Sequence, residues 1–93
     1  MITKVTLSRR AIRDLEKVPR HIEFKLLSWV EAVESEGLEN VKRIPGYHDE
    51  PLKGMRVGQR SIRLSRSYRA IYETKSEGPP RILEVQEVNK HEY

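Results

Sequence analysis

Residues 59–73 read QRSIRLSRSYRAIYE, and apolar residues alternate with polar ones on both sides of the central SRS. This alternation is typical of two β-strands joined by a short turn. A three-residue loop at 65–67 pairs Arg63 with Arg69, whereas a two-residue loop would scramble the apolar face. The longer loop places one set of side chains on the same face: Ile62, Leu64, Tyr68, Ala70 and Tyr72. The stretch therefore predicts a hairpin with a face for helices to cover.

The opposite face of this hairpin is cationic. Arg63 and Arg69 lie directly across from each other, where like charges repel by a few tenths to about 1 kcal/mol. An anion between them would turn the repulsion into a clamp, because guanidinium groups match phosphate oxygens in pairs. The surrounding stretch 53–69 holds six cations and no acid: Lys53, Arg56, Arg60, Arg63, Arg66 and Arg69. We predict that this face binds a phosphate polymer; an ordinary solvated face is the alternative reading.

The N-terminal part of the chain predicts a strand and two helices. MITKVTL alternates like a strand, and Ser8, which follows it, is a good N-cap for a helix. Pro19 separates this helix from a second one over Arg20–Glu36. Two helices joined this tightly form a hairpin that can cover the apolar face of a sheet.

The C-terminal half predicts an irregular segment and three strands. Periodicity disappears from 38 to 55, and it returns in QRSIRL, YRAIYE and RILEVQEV. The last strand has no readable phase, because Leu83 and Val85 favour one face and Val88 favours the other. The order β-α-α-β-β-β predicts a single α+β domain over residues 1–93, with the helical hairpin packed on a mostly antiparallel sheet.

Composition excludes several kinds of site. The chain has no cysteine, so it can form neither a disulfide nor a thiolate metal site. His48, Asp49 and Glu50 are adjacent, and adjacent residues rarely converge on one ion, so we predict no metal and no cofactor. No apolar run approaches the roughly 20 residues that span a bilayer, and a signal peptide is not recognisable. The expected location is the cytoplasm, without membrane contact.

RNA cleavage without a metal is chemically possible, because RNA carries its own nucleophile, the 2′-hydroxyl. An enzyme has only to take that proton, stabilise charge on the phosphorane and protonate the leaving 5′-oxygen. The C-terminal VNKHEY places Lys90, His91 and Tyr93 just beyond the last strand. An imidazole and a phenol there can transfer protons, although most terminal histidines are simply exposed.

Three motifs resemble a known superfamily. EPLKG, SIRLSRSYRAIY and the closing EVNKHEY, in a strand-helix-helix-strand-strand-strand order, are similar to the RelE/ParE superfamily of type II toxins, and within it to HigB-like toxins. The resemblance covers essentially the whole chain and is strongest from Pro51 to Tyr72. It implies a RelE-like fold and an endoribonuclease that enters the ribosomal A site. Such an mRNA interferase uses no metal and leaves a cyclic phosphate and a 5′-hydroxyl.

The resemblance also implies roles for individual residues. By position, Lys53 matches the lysine of the PLKG motif, Arg63 the arginine of SIR, Arg69 the arginine of YR, and His91 lies near a C-terminal catalytic histidine. Glu50 stands where some HigB toxins carry a histidine, and two residues follow His91, so three side chains compete as proton donor. In order of preference they are His91, Tyr93 and His48. The residues expected to bind RNA are Arg56, Arg60, Arg66, Lys90 and His48.

The partners implied by the resemblance are the ribosome, mRNA and a cognate antitoxin with a helix-turn-helix fold. Operator DNA would be reached only through the antitoxin. Two other functions stay open at this point. A ParE-like toxin would share the fold and poison DNA gyrase, and a non-catalytic module would use the basic face only to bind nucleic acid.

Overall fold

The computed structural model describes residues 2–75 and 81–90, which form an α+β fold. Within these residues, five strands form one sheet in the order β1-β5-β4-β3-β2. The strands are β1 (Lys4–Leu7), β2 (Glu50–Pro51), β3 (Gln59–Arg63), β4 (Tyr68–Lys75) and β5 (Ile82–Lys90), and the helices are α1 (Arg9–Lys17), α2 (Arg20–Glu36) and α3 (Leu38–Val41). β1 and β5 are parallel and the other neighbours antiparallel, so the predicted fold class is confirmed.

The hairpin of β3 and β4 has the predicted register. Arg63 pairs with Arg69 across the two strands. The Leu64 amide donates to the Tyr68 carbonyl at 2.9 Å, and the hydroxyl of Ser65 accepts from the Tyr68 amide at 3.2 Å. The loop is therefore closed by its own serine.

One face of the sheet is packed against the helices. Ser8 caps α1 as predicted, its hydroxyl accepting from the Ala11 amide at 3.0 Å. The rings of Trp29 on α2 and Tyr72 on β4 lie 5.2 Å apart and are tilted by 45°. Burial of these aromatic surfaces is a large part of the driving force for folding. The core residues on the hairpin and the long helix include Ile22, Leu26, Trp29, Val33, Ile62, Leu64, Ala70 and Tyr72. We call this side of the sheet the core face.

The segment predicted to be irregular contains four short elements. They are α3, two 3₁₀ turns at Pro45–Tyr47 and Gly54–Arg56, and the strand β2. The predicted element order is therefore wrong in this segment, where a third helix and an additional edge strand occur. Elements of two to four residues complete about one period or less, so periodicity cannot reveal them. β2 pairs Glu50 with Ser61 on β3, which fixes the side of the sheet on which Glu50 lies.

A bulge in β5 explains why its phase could not be read. Ile71 pairs with Glu87 and Tyr72 pairs with Val85, so Gln86 is an extra residue on the β5 side. One extra residue inverts the alternation, and Val85 and Val88 both reach the core face. Beyond the bulge, Glu87 lies on the opposite face together with Asn89, Arg63 and Arg69. We call that side the arginine face.

Helix α1 covers the edge of β5 beyond its pairing with β1. The Ser8 hydroxyl donates to the Gln86 carbonyl at 2.6 Å, and the Val88 amide donates to the Asp14 carboxylate at 3.0 Å. These bonds satisfy the backbone of β5 where no strand is available to do so. In the part of the chain that the structure describes, no helix has the length and apolar character needed to cross a membrane.

Candidate phosphate-binding site

A small pocket opens on the arginine face between the hairpin and the segment that leads into β2. Its volume is about 70 Å³. Because Arg63 and Arg69 occupy opposite positions on β3 and β4, both line it. The side chains that matter for chemistry are His48, Glu50, Arg63, Arg66, Tyr68 and Arg69. We call this the arginine pocket, and it brings four predicted site residues together: His48, Arg63, Arg66 and Arg69.

The two opposed arginines differ in exposure and in partners. Arg63 is exposed, whereas Arg69 is half-buried and its Nε donates to the Asn89 side-chain oxygen at 3.3 Å. Holding Nε in this way fixes the plane of the Arg69 guanidinium and leaves its terminal nitrogens to bind other groups. Two arginines at paired strand positions that line one pocket favour a dianionic or phosphorane-like ligand, because such a ligand relieves their mutual repulsion.

Strand β2 separates two neighbouring carboxylates onto opposite faces of the sheet. Glu50 pairs with Ser61 and therefore lies on the arginine face, where it lines the pocket. Asp49 turns to the core face, and its side chain is 1% exposed. It accepts from Arg60 Nε at 2.5 Å and from the Tyr72 hydroxyl at 2.5 Å. Asp49 thus attaches the segment before β2 to the sheet.

Arg60 is part of this buried cluster and not of the pocket. Burial alone would lower the pKa of Arg60, but the bond to Asp49 and its charge raise the pKa instead. Burial, followed by the Asp49 hydrogen bond, raises the pKa of the Tyr72 phenol far above its ordinary value, so the hydroxyl stays a donor. The predicted RNA contact at Arg60 has no support from this placement, because the guanidinium is engaged on the core face.

His48 precedes this cluster in an unusual backbone conformation. Its φ of 46° and ψ of 49° lie in the left-handed region, which costs a residue with a Cβ roughly 1–2 kcal/mol. The turn at His48 lets the following Asp49 point inward while His48 itself lines the arginine pocket. Strain of this kind occurs preferentially at functional sites.

Replacing His48 by glycine is expected to separate stability from function. Glycine adopts the left-handed conformation without strain, so His48→Gly should raise the free energy of unfolding by up to about 1 kcal/mol, or leave it unchanged if the entropy of the unfolded chain offsets the gain. If the predicted RNA cleavage takes place in this pocket, its rate should fall, since the imidazole is lost. Chemical denaturation of wild type, His48→Gly and His48→Ala tests this, and a His48→Gly variant less stable than His48→Ala would contradict it.

Arg56 is held on the arginine face by ion pairing. Its Nη2 donates to Glu87 Oε2 at 2.7 Å, and its Nε donates to Gln59 Oε1 at 2.8 Å. The Glu87 side chain is only 9% exposed, and Arg10 Nη1 lies 3.6 Å from its Oε2. Burial alone would raise the pKa of Glu87, but Arg56 first and then Arg10 lower it below the ordinary value. The sequence predicts an RNA contact at Arg56, whereas its guanidinium already has a protein partner.

The remaining predicted residues lie apart from the pocket or outside the described residues. Lys53 is exposed and immediately precedes the Gly54–Arg56 turn, without lining the pocket. Lys90 is exposed at the end of β5, where it pairs with Tyr68. His91 and Tyr93 lie outside the described residues. Their predicted roles, like those of Lys53 and Lys90, stay predictions.

Glu50 is a candidate site residue that sequence reasoning missed. It is exposed, lines the pocket beside His48 and is the one carboxylate among the described lining residues. A carboxylate that shares a pocket with two arginines is a candidate proton acceptor. Its pairing with Ser61 through a two-residue strand left no periodic signal, although its place in EPLKG could have indicated it. Among residues 2–75 and 81–90, no group of three or more His, Cys, Asp or Glu side chains is arranged to hold a metal ion.

Comparison with known proteins places the fold. No family model matches the chain, and no curated protein matches it. Among solved structures, the YoeB/ParE toxin from Agrobacterium tumefaciens superposes with a TM-score of 0.68 at 24% identity, covering 96% of this chain and 99% of that one. YafQ from Escherichia coli gives 0.74 at 16% identity, covering 95% and 92%. The RelBE2 toxin-antitoxin complex from Mycobacterium tuberculosis gives 0.68 at 22%, covering 96% and 91%.

The chain therefore has the RelE-like fold that these toxin structures share. This agrees with the superfamily to which the sequence motifs are similar. The narrower assignment to HigB-like toxins stays a prediction.

Proposed function

We propose that this chain is the toxin of a type II toxin-antitoxin system and that it cleaves mRNA in the ribosomal A site. The observation that carries the proposal is the arginine pocket, in which Arg63 and Arg69 face each other beside Glu50 and His48. These are the two kinds of group that RNA cleavage requires, cations for a phosphorane and acceptors for a proton. The RelE-like fold shared with known toxins supports the same conclusion.

The chemistry would proceed by attack of the 2′-oxygen on the adjacent phosphorus. Glu50 or His48 takes the 2′-hydroxyl proton as the new O–P bond forms, and Arg63 and Arg69 stabilise the charge on the phosphorane. The bond from phosphorus to the 5′-oxygen then breaks, and that oxygen receives a proton. The products are a 2′,3′-cyclic phosphate and a 5′-hydroxyl. The proton donor is predicted among His91, Tyr93 and His48.

The ribosome enters the proposal because the pocket itself offers little surface for holding a substrate. At about 70 Å³ and open to solvent, it is the size of a phosphate site, and the flanking nucleotides would lie outside it. Alignment of the 2′-oxygen with the leaving oxygen can contribute about 7–11 kcal/mol to lowering the barrier. An mRNA fixed in the A site would supply this alignment.

A cognate antitoxin is the second partner that we propose. Two of the similar solved structures are described as the DinJ-YafQ toxin-antitoxin complex from Escherichia coli and the YoeB-YefM complex from Staphylococcus aureus. A protein with this fold is thus expected to be produced with its own inhibitor. That this inhibitor has a helix-turn-helix fold and brings the pair to operator DNA is part of the proposal.

Production of this chain alone is expected to arrest growth, and co-production of the antitoxin encoded beside it should restore growth. Mapping of 5′ ends after brief induction should show cuts with codon periodicity, which Arg69→Ala abolishes. Broken DNA without such cuts would favour a ParE-like gyrase poison. Normal growth with abundant folded protein would contradict any toxin function.

A further inference from the structure

We infer that Glu87 is a positioning residue for the proposed cleavage, because it connects the loop that carries Lys53 to the guanidinium of Arg69. Arg56 lies on one side of the Glu87 carboxylate and Asn89 on the other. The inference rests on the proposed function and extends it to a residue that does not line the pocket. The connection consists of the loop over residues 53–58, the side-chain amide of Asn89 and the buried carboxylate of Glu87.

The loop over residues 53–58 depends on Arg56 for its position. Met55 and Val57, which flank Arg56, are 104% and 77% exposed, so apolar packing of these two side chains does not hold the loop. Gly54 and Gly58 have φ values of 69° and 100°, conformations that let the chain turn sharply on either side. A backbone bond from Leu52 to Gln59 closes the base of the loop, and the bonds from Arg56 to Glu87 and Gln59 attach its side chains to the sheet.

The second connection runs from Glu87 through Asn89 to the pocket. Asn89 Nδ2 donates to Glu87 Oε1 at 2.7 Å. Because a carboxylate only accepts hydrogen bonds, it fixes the orientation of the amide, and the amide oxygen is directed away from it. That oxygen accepts from Arg69 Nε at 3.3 Å. The orientation of the Arg69 guanidinium is thus determined by a carboxylate two residues along β5.

The charge of Glu87 is as important as its shape. Arg56 and Arg10 both lie within ion-pairing distance of it, at 2.7 and 3.6 Å. A neutral glutamine would leave Arg56 without its counterion and Arg10 with only Asp14, at 3.9 Å. The glutamine amide could donate as well as accept, so Asn89 could turn over. In that orientation the amide nitrogen would face Arg69 Nε, and two donors cannot bond. Glu87→Gln should therefore release Arg69 while changing little volume.

The first experiment measures single-turnover cleavage of ribosome-bound mRNA by wild type and Glu87→Gln. We expect a rate roughly 10- to 100-fold lower, with an unchanged half-saturating ribosome concentration, because positioning affects the reacting geometry and not docking. Glu84→Gln on the same strand is the matched control, since its carboxylate contacts Gln86 and Lys75 instead. A wild-type rate for Glu87→Gln, or an equal loss for Glu84→Gln, would overturn the inference.

A double-mutant cycle tests whether Glu87 acts through Arg69. Asn89→Ala should reproduce the loss while the Glu87 carboxylate keeps its ion pairs with Arg56 and Arg10. Neither variant should lower the rate further in an Arg69→Ala background. Fully additive losses would mean that Glu87 acts elsewhere. If Glu87→Gln is unstable, Asn89→Ala still tests the connection between Glu87 and Arg69, and a wild-type rate for Asn89→Ala would overturn the inference.

A spectroscopic readout separates the network from the proposed function. The Nε–H signal of Arg69 in ¹⁵N-labelled protein should be protected from exchange in wild type and Glu84→Gln, and averaged with water in Glu87→Gln and Asn89→Ala. Unprotected signals in wild type would disprove the network. A protected signal in a wild-type chain that cuts no mRNA on the ribosome would retain the network and reject the function.

Discussion

Arg69→Ala is expected to lower the single-turnover rate of mRNA cleavage by about two to three decades, which corresponds to a lost transition-state contact of about 3–4 kcal/mol. Arg69 is the better placed of the two opposed arginines, since Asn89 holds its Nε and leaves the terminal nitrogens to the pocket. The loss should appear in the rate of the chemical step, because charge builds on the phosphate oxygens only there.

The same variant should leave thermal stability unchanged or slightly raised. Removal of Arg69 relieves its repulsion of Arg63, worth a few tenths to about 1 kcal/mol, and sacrifices only a long bond to Asn89. Arg66 is unsuitable as a control because it lines the pocket, so we choose Arg81→Ala, an exposed cation that precedes β5. Wild-type cleavage by Arg69→Ala, or a loss explained by unfolding, would disprove the clamp.

The hairpin could be predicted from residues 59–73 because everything that sets its register is local. Alternation, a short polar loop and the need for one apolar face leave a single arrangement for Arg63 and Arg69. The structure has that arrangement. The same reasoning located the centre of the candidate site, since two facing arginines follow directly from the register.

The ion-pair partners of the other cations could not be predicted, because these partners are acids elsewhere in the chain. Arg60 bonds to Asp49, 11 residues before it, and Arg56 bonds to Glu87, 31 residues after it. The acid-free stretch therefore looked like one cationic surface, whereas two of its members have buried partners. Charge counted along a sequence gives no information about such pairs.

The bulge at Gln86 likewise made it impossible to predict from the sequence which β5 side chains lie on which face. A single extra residue moves Glu87 and Asn89 to the arginine face, and no periodic pattern predicts where such a residue is inserted. The two-residue strand β2 likewise hid Glu50, which only its pairing with Ser61 brings to the pocket. Sequence therefore predicts the scaffold of this site better than its polar connections.

Asp49→Ala is expected to lower the free energy of unfolding by about 2–4 kcal/mol. The change leaves the buried Tyr72 hydroxyl without an acceptor and removes the counterion of Arg60, which is 29% exposed and can regain some hydration. For a domain of this size each kcal/mol lowers Tm by roughly 4–8 °C. Thermal unfolding followed by circular dichroism measures the effect, and a decrease smaller than that of an exposed substitution such as Arg81→Ala would contradict it.

Glu50→Gln is the variant to compare with Asp49→Ala. The two acids are consecutive in the chain, but their carboxylates lie on opposite faces of the sheet. Glu50 is exposed in the pocket, so its amide variant should unfold at the wild-type temperature. If Glu50 is the proton acceptor, single-turnover cleavage should fall by roughly 10²- to 10⁴-fold, the usual contribution of general-base catalysis. Asp49→Ala should therefore lower stability, whereas Glu50→Gln should be as stable as wild type and cleave mRNA more slowly. Stable Glu50→Gln protein that cleaves at the wild-type rate would assign proton transfer to His48, whose imidazole shares the pocket.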